Sequence, residues 1–213
     1  MIPIGDDNST RQSFPFVTYL FIAINIGVFV LQLQGGEQFT REWAYIPREF
    51  LGNPGAEAAT LISSMFMHGG IAHILGNMVY LWTFGDNIED RLGHFGYALF
   101  YIATGLAAIA AQTAFNPGSN IPNVGASGAI AGVLGAYILL FPHGKVRLLT
   151  QVGVIYLPAI IAIGLWFVLQ FTGILGALSQ TEDVGGVAYM AHIGGFVAGF
   201  VLALFFARRA AAA

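Results

Sequence analysis

The sequence has no cysteine and very little charge. The first absence excludes disulfides, thiolate nucleophiles and cysteine-based metal sites. The second is more telling. Only 9% of the 213 residues are charged, whereas a soluble domain of this size carries about a quarter. With 56% hydrophobic residues and a mean hydropathy of +0.72, the chain is expected to be solvated by lipid. A net charge of -3 provides no basic footprint for nucleic acid. There is no H-E-x-x-H motif, and no Asp, Glu, Lys or Arg lies inside a long apolar run. A zinc protease of that kind, an aspartyl dyad and an ion pathway built on buried charges are therefore all disfavoured. The N-terminal "MIPIGDDNSTRQSF" is acidic rather than basic, and no small-residue cleavage site follows the first apolar run. That run is expected to remain as a membrane span.

Apolar runs able to cross, or nearly cross, a bilayer lie at 16–33, 71–84, 95–115, 127–141, 152–178 and 189–207. They predict an all-α membrane protein, a six-transmembrane helical bundle. Residues 16–207 form its one domain, 1–15 a cytoplasmic N-terminal segment and 208–213 a tail. The segment 34–70 holds Pro47, Pro54 and several charges, and reads as an interfacial insertion with short helices. Arg11, Arg91, Lys145, Arg147, Arg208 and Arg209 fall on the side of the two termini, and only Arg41 and Arg48 on the other. The positive-inside rule then puts both termini in the cytoplasm. The loops 34–70, 116–126 and 179–188 face outward.

The run 127–141 spans about 22 Å as a helix, at roughly 1.5 Å per residue, within a hydrocarbon core about 30 Å thick. Ser127, in "NVGASGAIAGVLGAY", is thus expected to start its helix below the outer membrane surface. The loop before it must dip to meet it, and irregular backbone at that depth has to be buried by protein or line a wet cavity. Gly128, Gly132 and Gly135 share one helix face; His192, Gly195 and Gly199 share another. Small-residue stripes let membrane helices approach closely. If the two stripes meet, His192 is carried toward Ser127 at matching depth. Taken alone, a serine at a helix start is more often a cap or a packing residue, whereas an ionisable group within a span is functional by default.

In "MHGGIAHILGNMVYLW", His73 and Asn77 are four apart and share a face. Two donors on one face suit a developing oxyanion, and equally suit interhelical hydrogen bonds. His68, five before His73, is poorly spaced for chelation and reads as a structural hydrogen-bonding residue. With no carboxylate in the spans to orient His192, a Ser–His dyad is favoured over a Ser–His–Asp triad.

The motifs "GASG" at Gly125–Gly128, "AHIGG" at Ala191–Gly195 and "HILGN" at His73–Asn77 resemble those of the rhomboid intramembrane serine proteases. The stretches "SSMFMHGG" and "GDNIEDRLG" also resemble the family, and the likeness runs in order over about residues 16–207. The resemblance implies that Ser127 is the nucleophile and His192 the general base. It implies an oxyanion site of Asn77, His73 and the Ser127 backbone, with Gly125 holding the turn before the nucleophile. Gly128, Gly195 and Gly199 support the close helix packing. Glu89 and Arg91 match a polar structural cluster, Trp166 and Phe167 a lateral gate on the fifth span, and the 179–188 loop a cap over the site. No cofactor or metal is implied. The expected partners are the lipid bilayer and single-span membrane protein substrates, and the expected location is a prokaryotic cell membrane.

Two features depart from the pattern. The Trp-Arg pair that some members carry before the second span is absent, the stretch reading "AEAATLISS". A Tyr that stacks on the base in some members is here Ala131, so His192 must be oriented by something else. The competing readings are a non-catalytic rhomboid-like chaperone or quality-control factor, and a small transporter.

Overall fold

The computed structural model describes residues 1–178 and 188–210, with side-chain detail through residue 170 and from 188 to 205. The expected cap loop therefore lies outside the described residues.

The chain is mostly helical. Helix α1 (Phe16–Trp43) is followed by three short helices, α2 (Pro47–Gly52), α3 (Pro54–Glu57) and α4 (Thr60–Ser63), and a 3₁₀ turn at Ser64–Phe66. Then come α5 (Ile71–Leu92), α6 (His94–Phe115), α7 (Ser127–Leu140), α8 (Ala159–Leu178) and α9 (Tyr189–Ala210). The 34–70 insertion thus contains short helices, as its prolines suggested. Helix α1 outruns its expected end at residue 33, and reaches Trp43 through a break at Gly36, where φ is 62° and ψ is -147°.

The all-α expectation fails at one end of the bundle. Strands β1 (Ile2–Gly5), β2 (Lys145–Thr150) and β3 (Gly153–Pro158) form an antiparallel sheet in the order β1-β2-β3. The apolar run at 152–178 is accordingly two elements: a strand, then α8. Continuous apolar sequence carries no periodicity to separate a strand from a helix. In β2 the alternation was present, with Val146 and Leu148 buried while Lys145, Arg147 and Leu149 are exposed. Thr150 pairs with Gly153 and leaves a two-residue hairpin turn, and Gly153 takes φ 113° there.

Helix α7 sits at the centre, packed against α5, α6, α8 and α9. Every residue from Gly128 to Tyr137 is buried, which suits a helix that is apolar all round. Its neighbours contribute Leu81, Phe84, Ile88, Tyr97 and Tyr101, all essentially inaccessible. The outer surface is the reverse of a water-soluble protein's. Leu20, Ile24, Leu31, Ile160, Leu165, Val168 and Leu169 are exposed, while Asn25, Thr104, Glu89 and His68 are buried. Helices α1 and α6 are long and apolar enough to cross a membrane by length and composition, and the apolar stretches described in α7, α8 and α9 are shorter.

The glycines decide the closest packing. A methyl group on Gly195 or Gly199 of α9 would overlap the backbone carbonyl oxygen of Gly128 or Gly132 of α7. The two stripes meet as expected, with a refinement. The bare side of Gly128 faces Ala108 of α6 and that of Gly132 faces Thr104, whereas Gly135 faces the Phe196 carbonyl of α9. Helix α7 is therefore wedged between two close neighbours.

The polar cluster expected around Glu89 is a helix cap. Glu89 accepts hydrogen bonds from the Val17 and Thr18 amides, at 2.7 Å each, and from the Thr18 hydroxyl at 2.7 Å. These amides at the start of α1 have no partner within their own helix. His94 Nδ1 lies 2.6 Å from the same carboxylate. Arg91, by contrast, is exposed and has no ion pair among the described residues. Arg11 pairs instead with Asp86 at 2.6 Å, and Ser13 with Asp90.

Candidate active site

Ser127 is the first residue of α7 and His192 lies in the first turn of α9. Both helices run away from this end of the bundle, so the glycine contact that pins them together also sets the two side chains side by side. Ser127 Oγ is 2.8 Å from His192 Nε2. The loop before Ser127 is held from outside the bundle. Tyr45 and Asn123 exchange two backbone hydrogen bonds, and the Gly125 amide donates to the Ser64 carbonyl at 2.9 Å. The 34–70 segment thus anchors the loop before Ser127.

Gly125 takes φ +141°, and a methyl group there would come within 3.0 Å of the His73 ring and 3.5 Å of Ser127 Oγ. Only glycine combines that backbone with that space. The same contact places the His73 ring beside the loop that carries Ser127. His73 Nδ1 accepts from the Gly69 amide at 3.3 Å, which puts the proton of a neutral ring on Nε2, the nitrogen nearer Gly125. Asn77 is buried, and its amide nitrogen has no hydrogen-bond partner among the described residues. His68 is also buried, with its amide on Gln32 Oε1 at 3.0 Å and its ring against that of His73. A cavity of about 50 Å³ touches Ser127 and is lined also by Tyr45, Ser64, Gln112 and Gly125. No cluster of three or more metal-ligating side chains occurs among the described residues.

The expected gate residues pack inward. The Trp166 ring lies 5.7 Å from the His192 ring at 37°, and Phe167 stacks on Phe196 at 4.1 Å. One residue at this site escaped the sequence reading. Gln170 Oε1 is 2.8 Å from His192 Nδ1. Its signal was present: an amide inside an apolar run, one turn after Trp166 and on the same face. An uncharged amide stands out less in an apolar run than an ionisable side chain does.

A buried bundle with an apolar exterior, holding a hydrogen-bonded Ser–His pair at one end, is the class of protein this fold and site define. The family model described as "Rhomboid domain" matches residues 55–209, and the chain belongs to the rhomboid family, whose members are integral membrane proteins. It is 33% identical over 192 residues to "Rhomboid protease GluP" of Bacillus subtilis (strain 168), covering 89% of this chain and 34% of that relative. It is 34% identical to "RHOMBOID-like protein 4" of Arabidopsis thaliana, covering 90% of this chain and 52% of that one. "Rhomboid protein 1, mitochondrial" of Saccharomyces cerevisiae is 28% identical over 188 residues, with 86% and 51% covered. The chain spans between a third and about half the length of these relatives.

Proposed function

We propose that this chain is an intramembrane serine endopeptidase that hydrolyses peptide bonds in or near transmembrane segments of other membrane proteins. The observation that carries the reading is the 2.8 Å contact between Ser127 Oγ and His192 Nε2. In the proposed reaction, Ser127 Oγ attacks the scissile carbonyl carbon and its proton passes to Nε2. The carbonyl oxygen gains negative charge, stabilised by Asn77, His73 and the Ser127 amide. Collapse breaks the C–N bond, and the proton on Nε2 goes to the departing amine. Water then hydrolyses the acyl-enzyme by the same route.

Substrates are proposed to be single-span proteins, cut where their helix unwinds most easily. Gly or Pro near the scissile bond lowers the cost of exposing the carbonyl. Six spans with both termini cytoplasmic complete the reading, resting on the basic-residue asymmetry and on the apolar exterior. The test is cleavage of a single-span protein by the purified chain beside Ser127→Ala. Fragments are expected only from the wild type; equal fragments, or none with any substrate, would reject the assignment.

A further inference from the structure

The hydrogen bonds around His192 form a directed chain. Gln170 Nε2 donates to the Trp166 carbonyl at 3.0 Å. That bond settles which end of the amide is oxygen, and the oxygen is turned to His192 Nδ1 at 2.8 Å. An amide oxygen only accepts, so Nδ1 must carry the proton of the neutral ring. Nε2 is then left with its lone pair facing Ser127 Oγ at 2.8 Å, and the serine hydroxyl donates. One residue on α8 thereby selects the tautomer that a general base requires. Trp166, a turn earlier on the same helix, lies against the ring itself. The position from which a Tyr would otherwise stack is Ala131, fully buried and too small to reach.

We propose that Gln170 is the positioning residue of His192, and that the base is competent only while the Trp166–Gln170 turn of α8 is seated against it. This rests on the reading of the chain as a serine protease. During attack the Oγ–C bond forms and the Oγ proton moves to Nε2; Nδ1–H stays bonded to Gln170, whose oxygen takes no proton. When Nε2 passes its proton to the leaving amine, the ring returns to the same tautomer. Helix α8 thus does more than border the site. A substrate that displaced this turn on entry would meet a serine without an oriented base, so re-seating α8 becomes a step that precedes cleavage.

The test compares Gln170→Met, which keeps the length but offers no acceptor, with Gln170→Glu, which keeps an acceptor oxygen in either protonation state. Three readouts are taken: kcat and KM on a single-span substrate, the rate at which a small fluorophosphonate labels Ser127, and thermal unfolding in detergent. Gln170→Met is expected to lose roughly 10–100-fold in kcat and in labelling, with KM nearly unchanged, as for a misplaced catalytic group. Gln170→Glu is expected to recover most of both. A Gln170→Met variant that labels and cleaves at the wild-type rate would overturn the proposal, as would equal losses in the two variants. Independently of any variant's folding, the wild-type protein labelled with ¹⁵N-histidine is expected to show His192 protonated at Nδ1; a neutral ring protonated at Nε2 would overturn it too. If the wild type and Ser127→Ala do not differ in cleavage, the protease reading itself fails. If they differ while Gln170→Met is unimpaired, only the role of Gln170 falls.

Discussion

Asn77 separates a packing role from a chemical one. Its amide nitrogen is buried without a hydrogen-bond partner among the described residues, and an unsatisfied buried donor is a cost to folding. Replacing it with Ala is therefore expected to leave thermal stability nearly unchanged or slightly higher. Catalysis should move the other way, because a lost oxyanion donor typically costs about 10²–10³ in kcat. A lowered unfolding temperature with kcat intact would return Asn77 to a structural role. His192→Ala, which removes the ring nitrogen 2.8 Å from Ser127 Oγ, is expected to abolish turnover outright, as measured on a single-span substrate.

At the scale of elements, the contact between α7 and α9 carries the site. Gly199 lies against the Gly132 backbone with no room for a methyl group. Gly199→Ala is expected to lower the unfolding temperature and activity together, since the helices must separate and take His192 from Ser127. Gly27 on α1 has nothing within 4 Å of where a methyl would go, so Gly27→Ala is the control and should be silent in both assays. Equal behaviour of the two variants would mean that the stripe does not set the helix spacing. The hairpin of β2 and β3 works at the other end. It leads directly into α8 through Pro158 and Ala159, and so joins the N-terminal strand to the helix that bears Gln170.

Across the whole molecule, Asp6, the residue that follows β1, ties the N-terminal segment to the bundle. Its carboxylate accepts from the Tyr137 hydroxyl of α7 at 2.8 Å and from the Asn87 amide of α5 at 2.6 Å. Burial is the main cause that raises the Asp6 pKa from 3.8 to about 7; the nearby Asp86 and Asp7 raise it further, and the bonds from Tyr137 and Asn87 oppose the shift. An unfolded chain gives up this proton near 3.8, while the folded one holds it to about 7. Stability from this group is thus lost progressively as pH rises across that interval, and the full penalty applies above it. Asp6→Asn is expected to match the wild type near pH 4 and to unfold at a higher temperature above pH 7, by a margin that grows between. A pH-independent difference in a detergent melt would refute the coupling. For topology, a reporter after Ala213 is expected to behave as cytoplasmic and one in the 116–126 loop as external; the reverse would relocate the site.

What the sequence determined by itself was whatever depends on spacing along one helix. Low charge and long apolar runs dictated a lipid-facing bundle, and the three- and four-residue spacing of Gly128, Gly132, His192 and Gly195 dictated which faces can approach. Gly125 was marked only by the family resemblance, and the structure supplied the physical reason: φ of +141° with the His73 ring against it. The tertiary structure alone decided which partners meet across helices. The proton on His192 is set by Gln170, 22 residues away, and the cap of α1 by Glu89, more than 70 residues on. The sheet went unread for a similar reason: its first strand finds its partner about 145 residues later, and a short apolar stretch declares itself a strand only once another chain segment supplies its hydrogen bonds.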